Sequence, residues 1–368
     1  MKLLRFFPVL FLFADACIER YDLPAQIAEP RLVVNGMITN LPGPYTIELY
    51  ISSDLNTNLN KPTPVSNAKV RIADDAGNEE LLVEKSPGVY ETRTDGMQGT
   101  VGRKYHTIID VQEKHYRSQP QELTAAGEIS DVRYDFQLGA INRNEPAKAQ
   151  DVLNVYIDSK GVPGQTNLFR WRWSSTHEVK TFPELRTREF GRPPVVIPDP
   201  LPCSGYVPGP AGTIRKVDIC TCCSCWVSEY SQQASVSNNQ AVKADQFNSV
   251  YIAKIPVDHW RFSIKYYMKI EQFSLSQEAY NFWNLVQSQQ EGEGSLFQPN
   301  SVKVKGNIYS TTDDEEVLGF FGVSGVTQKE FFIDRRQVPS KVDIKNDTVK
   351  GSCLGQFTGS TNRKPLFW

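Results

Sequence analysis

Short runs in which apolar and polar residues alternate recur along most of the chain, and this period of two predicts β-strands. Leu32-Val-Val-Asn-Gly36, Tyr45-Thr-Ile-Glu-Leu-Tyr-Ile51, Ala68-Lys-Val-Arg-Ile-Ala73 and Tyr105-His-Thr-Ile-Ile-Asp-Val111 are rich in β-branched and aromatic residues. Turn-forming clusters separate them at Leu41-Pro-Gly-Pro44, Asp74-Asp-Ala-Gly-Asn78, Ser86-Pro-Gly88 and Asp95-Gly96. Strands at this spacing over residues 31–122 predict an immunoglobulin-like β-sandwich. The range contains no cysteine, so its core is expected to be plainly apolar.

A larger β-rich domain is expected over 123–368. Val152-Leu-Asn-Val-Tyr-Ile157 and Phe169-Arg-Trp-Arg-Trp173 alternate, each giving one face to a core and the other to water or a partner. The second run sets Phe169, Trp171 and Trp173 on one face and Arg170 and Arg172 on the other. The arginines are read either as an exposed pair over a packed core or as a candidate binding face. Residues 190–226 form a proline-rich and then cysteine-rich insertion, a long excursion of the kind that binds something or is pinned by cross-links. One short amphipathic helix is predicted from about Ser274 to Gln287, with Ser276 as its capping residue and apolar residues at steps of three and four. The fold class is mainly β.

The N-terminus departs from this pattern. Lys2 and Arg5 precede an apolar stretch from Phe6 to Ala14, about half of the roughly 20 residues a membrane-spanning helix needs. A basic start, a short apolar run and the sequence Ala14-Asp-Ala-Cys17 predict a lipoprotein signal peptide over 1–16 and a lipidated Cys17. A buried N-terminal strand is the alternative. Residues 17–30, with two prolines and no sustained period, read as an extended tether.

Composition sharpens this only in part. The 368 residues carry a formal net charge of −2, which gives no electrostatic reason to expect nucleic acid as a partner. Seven cysteines matter more. With Cys17 lipidated, Cys203, Cys220, Cys222, Cys223, Cys225 and Cys353 remain, an even number that favours disulfides in an exported protein. Adjacent Cys222 and Cys223 are expected to bond elsewhere than to each other, with the distant Cys203 and Cys353 as natural partners for two of the cluster. A metal site is the other reading of Cys-x-Cys-Cys-x-Cys, but zinc sites separate their cysteine pairs by a longer loop and no histidine lies nearby.

Signatures of catalysis are missing from the sequence. Gly-x-Ser-x-Gly, His-Glu-x-x-His and a glycine-rich phosphate loop are all absent, and the four histidines, His106, His115, His177 and His259, are scattered. No catalytic residue, cofactor or metal is therefore expected. The acidic run Asp313-Asp-Glu-Glu316 lacks the spaced carboxylates of a calcium loop and reads as a solvated turn.

Several blocks, in order, resemble the DUF4249 family of Bacteroidota lipoproteins. They are Arg31-Leu-Val-Val-Asn-Gly-Met-Ile-Thr-Asn40, Val65-Ser-Asn-Ala-Lys-Val-Arg-Ile72, Gly88-Val-Tyr90, Leu275-Ser-Gln-Glu-Ala-Tyr-Asn-Phe282, Gly294-Ser-Leu-Phe-Gln-Pro299, Gly306-Asn-Ile308 and Val317-Leu-Gly-Phe-Phe-Gly-Val-Ser324. Cys225-Trp-Val227 also looks like a cysteine of that family. The resemblance implies an outer-membrane lipoprotein, commonly encoded beside a TonB-dependent receptor, a SusC-like barrel. Glu19 and Asp22, soon after Cys17, are compatible with a cell-surface address. The expected function is thus an accessory subunit for substrate capture or gating of such a transporter, held to the membrane by its N-terminal lipid. The alternative is a free-standing surface adhesin or glycan- or peptide-binding lipoprotein.

Overall fold

A computed structural model describes residues 30–52, 62–141, 149–237, 245–292, 304–339 and 348–368. The expected signal peptide, Cys17 and nearly all of the tether lie outside these residues. The described chain is mainly β with one α-helix, Gln277–Gly292, as the pattern predicts.

Two six-stranded sheets form the first sandwich. One runs Leu318–Ser324, Leu32–Thr39, Thr46–Ile51, Val89–Glu91, Val83–Ser86, with Thr63–Pro64 beside Thr46–Ile51. The other runs Ile308–Ser310, Lys114–Ser118, Lys104–Val111, Lys69–Asp74, Glu79–Leu81, with Gln121–Glu122 beside Lys104–Val111. Alternate residues meet between them: Val34, Ile38, Ile47 and Leu49 from the first sheet pack with Val70, Ile72, Ile109 and Tyr116 from the second. The core is apolar and free of cysteine, as expected.

The boundary at 122 requires correction. Leu318–Ser324 pairs in parallel with Leu32–Thr39, from Val33↔Leu318 to Thr39↔Ser324, and sends Phe321 and Val323 into the same core. Ile308–Ser310 extends the opposite sheet by pairing with Lys114–Ser118. Residues 31–122 alone would leave Leu32–Thr39 as an unpaired edge. Close contact fixes this added strand: Gly319 lies at φ +91°, and a Cβ there would sit 2.0 Å from the Val34 carbonyl oxygen. Asn307 completes the attachment. Its Nδ2 donates to the Phe321 carbonyl at 2.8 Å, and its Oδ1 accepts from the Phe321 N–H at 2.9 Å.

The second sandwich faces a three-stranded sheet, Glu128–Ile141, Ala149–Lys160 and Gln246–Pro256, against a six-stranded one. The latter runs Val326–Asp334, Lys265–Ser274, Phe169–Lys180, Ser224–Tyr230, Ser360–Thr361, with Ser235–Val236 beside Phe169–Lys180. Leu153, Val155 and Ile157 meet Phe169, Trp171 and Met268 in its core. Where the chain passes between the sandwiches, polar groups close the seam. Gly325 N donates to Ser274 Oγ at 2.8 Å, Ser274 Oγ donates to Thr124 O at 2.7 Å, and Val326 N donates to Asn40 Oδ1 at 2.6 Å.

The helix lies at this seam. Ser276 Oγ accepts from Ala279 N at 3.1 Å, so the expected cap is in place. Ala279, Tyr280, Phe282 and Trp283 pack with Leu168 and Leu275 of the second half and Phe320 of the first. The helix continues past Gln287 because its glutamines have partners. Gln287 Oε1 accepts from Val236 N at 3.0 Å and Gln290 Oε1 from Ala234 N at 2.8 Å, satisfying a sheet edge.

Candidate functional site

The six cysteines of the cluster and its distant partners lie in three pairs at bonding distance: Cys203 with Cys222, Cys220 with Cys223, and Cys225 with Cys353. Cys222 and Cys223 bond elsewhere than to each other, and Cys203 and Cys353 each take a member of the cluster. Among the described residues no group of three or more His, Cys, Asp and Glu side chains is placed to hold a metal ion.

The excursion that these bonds pin is more regular than its prolines suggest. Two small hairpins, Thr187–Phe190 with Val195–Pro198 and Tyr206–Pro208 with Ile214–Lys216, fill it. Pro193 and Pro194 occupy the first turn and Pro198 and Pro208 strand ends, where a missing N–H costs the sheet nothing. The first hairpin carries Phe190, Val195 and Val196 largely exposed. The acidic run 313–316 closes onto basic and hydroxyl groups: Lys114 and Tyr116 meet Glu315, and Arg31 meets Glu316.

Beside the second core, a cleft of about 1,060 Å³ opens between Ser224–Tyr230, Gln246–Pro256, the end of the helix and residues 356–359. Trp173, Tyr230, Tyr251 and Phe357 give it aromatic walls. Tyr230 and Tyr251 are exposed. Of the charged groups along it, Arg261 and Glu229 form an ion pair. Arg261 donates through Nη2 to Glu229 Oε1 at 2.5 Å and also bonds Asp258. Burial opposes the Arg261 cation, but these two carboxylates outweigh it and raise its affinity for the proton. The cleft therefore offers stacking surfaces and fixed charge, and Arg261 holds its proton throughout the ordinary pH range.

The arginine face lies differently from either sequence expectation. Phe169 and Trp171 point into the second core, so Arg170 and Arg172 take the opposite face of the strand. That face meets the helix and the first sandwich, so that Arg170 is largely enclosed while Arg172 keeps 37% of its side chain exposed. Between these layers remains a pocket of about 150 Å³ lined by Arg170, Arg172, Asn35, Phe273, Trp283 and Ser324, among others. Arg172 bonds Glu271 at 3.2 Å and lies over Phe273. Arg170 lies 3.4 Å above the centre of the Trp283 ring. Its Nε is buried without a hydrogen-bond partner. Desolvation, reinforced by the like charge of Arg172, pulls its pKa down to about 9. The Arg-Trp-Arg spacing identified the face in the sequence. Trp283, more than 100 positions away, was readable only as an apolar helix residue.

No relative among curated proteins matches the chain closely enough to lend it a role. A family model described as a domain of unknown function matches residues 18–330, and the chain, with its two sandwiches, capped helix and Asn307–Phe321 clasp, belongs to the DUF4249 family.

Proposed function

We propose that this protein is an outer-membrane lipoprotein, anchored through lipid on Cys17 and facing the cell surface, that serves a TonB-dependent transporter as an accessory subunit for substrate capture or gating. The observation that carries the capture role is the open cleft of about 1,060 Å³ with Tyr230 and Tyr251 at its exposed walls. Aromatic side chains give a ligand stacking area at little entropic cost, and the ion pair of Arg261 with Glu229 presents orienting charge at the cleft wall. What supports that location is a basic start, a short apolar run and Ala14-Asp-Ala-Cys17, followed by residues 17–30, whose two prolines and lack of a sustained period suit a tether. Lipid anchoring confines the body to the plane of the transporter, so even a weak contact benefits from a high effective concentration.

Affinity purification through a C-terminal tag, in mild detergent at native expression, tests the reading. Recovery of an outer-membrane barrel with the tagged chain is expected. Repeated recovery of the chain without any barrel would overturn it. Tyr230→Ala with Tyr251→Ala separates the two roles, because it should weaken substrate capture while leaving the barrel in the purified complex.

A further inference from the structure

We propose that the pocket between the two sandwiches binds a compact oxyanion, the carboxylate of a small acid or a phosphate, on the guanidinium of Arg170. A buried guanidinium ordinarily has a carboxylate or a set of carbonyl acceptors around it, because desolvating the charge without them is costly. Arg170 has neither among the described residues. Its Nε is buried and lacks an acceptor, and the only charged neighbour acting on it is another cation, Arg172. Glu271 is committed to Arg172, and Asn35 Nδ2 is committed to Glu48 at 3.0 Å. The stack on Trp283 compensates one face of the guanidinium and leaves its N–H donors in their plane. Arginine offers several such donors in a fixed fork that matches a carboxylate or phosphate.

The pocket is sized and placed for such a group. At about 150 Å³ it admits one small anion rather than an extended chain. Its walls come from both halves: Asn35 and Ser324 from the first sandwich, Arg170 and Phe273 from the second, and Trp283 from the helix. A bound anion therefore ties the halves together and should stabilise the whole molecule. This site is separate from the aromatic cleft and does not depend on the transporter reading.

The test is the melting temperature of the full mature chain in inorganic phosphate, in acetate and in chloride at matched ionic strength. At about 100 times Kd, a rise of about 4 °C over chloride is expected. A rise with phosphate alone assigns a phosphate site, a rise with acetate alone a carboxylate site, and a rise with both the shared chemistry. Arg170→Met should abolish the rise and, in chloride, melt no lower than the wild type, since it removes a desolvated charge that no carboxylate or carbonyl among the described residues accepts from and keeps an apolar chain beside Trp283. No rise with either anion, or an equal rise in Arg170→Met, would overturn the proposal. Should Arg170→Met fail to fold, the wild-type arginine Nε–H resonance that Arg170→Lys removes should move on phosphate or acetate titration, and its failure to move with either would overturn the proposal equally.

Discussion

His177 sits near the end of the strand Phe169–Lys180 with 2% of its surface exposed, its ring stacked on that of Tyr266. Desolvation, and then the positive charge of Arg261, pull its pKa down to about 4, so the native imidazole is neutral at pH 7. In the unfolded chain the same group titrates near 6.5. Between about 6.5 and about 4 the unfolded state therefore binds a proton that the native state refuses. Stability from this residue is full above that window and is lost as pH falls through it, by about 3 kcal/mol at most. Nδ1 has no hydrogen-bond partner, so a phenyl ring loses no bond at that atom. His177→Phe should flatten the loss measured by urea unfolding between pH about 7.5 and about 4.5, and equal slopes in the two proteins would refute the assignment. Asn307 illustrates a different residue effect. It substitutes its side-chain amide for a strand partner, and Asn307→Ala would leave the N–H and C=O of buried Phe321 unpaired. A loss of about 2–4 kcal/mol by urea unfolding is expected.

At the scale of elements, period-two runs located most strands, and Ser276 located the helix start, because both signals are local. The helix end was less legible: Gln287 and Gln290 read as a polar terminus, yet they hydrogen-bond the backbone of residues 234–236, which no helical period encodes. The arginine face shows the same limit. Alternation says that Arg170 and Trp171 point oppositely, but not that a helix and a second sandwich cover Arg170. Cysteine partners were legible as far as excluding the adjacent pair and giving Cys203 and Cys353 to two of the cluster, but not as far as which cysteine each takes. The most consequential bond is Cys225–Cys353, whose two fully buried ends lie 128 residues apart and fasten the segment 348–368 to the strand Ser224–Tyr230. Loop-closure entropy sets an upper limit of about 5 kcal/mol for it and about 3 kcal/mol for Cys203–Cys222, which closes 19 residues. Replacing Cys225 and Cys353 by Ala should cost about 3–5 kcal/mol and expose the segment near Gly351 and Gly355 to protease. The Cys203 and Cys222 double variant should instead sensitise the hairpin Tyr206–Lys216, which lies inside the loop that this bond closes, and leave the C-terminal segment protected. Limited proteolysis followed by mass spectrometry distinguishes the two.

For the whole molecule, the order of strands in space differs from their order in the chain, and this decides how it folds. Leu32–Thr39 and Leu318–Ser324 are both apolar strands, but their parallel pairing joins segments nearly 280 residues apart and leaves no local trace. The first sandwich is therefore incomplete until residues 304–324 have returned to it. A fragment of residues 30–122 would expose Val34 and Ile47, both fully buried in the native core, along with the unpaired edge of Leu32–Thr39. That fragment should lack native packing, with poor dispersion of its amide NMR signals and a tendency to aggregate. Supplying residues 304–324, either as a peptide or fused through a flexible linker, should restore dispersed signals, because Phe321, Val323 and the Asn307 clasp return together. The linker matters less than the strand, since loop closure costs only about 0.6 kcal/mol for each doubling of length. Within the rescued fragment, Gly319→Val should abolish the effect, because its Cβ would lie 2.0 Å from the Val34 carbonyl. A well-dispersed spectrum from 30–122 alone would show that the first sandwich is an independent domain and that the returning strands merely decorate it. In the intact chain the same interlocking predicts a single melting transition for both halves, since unfolding the second sandwich withdraws two strands from the first.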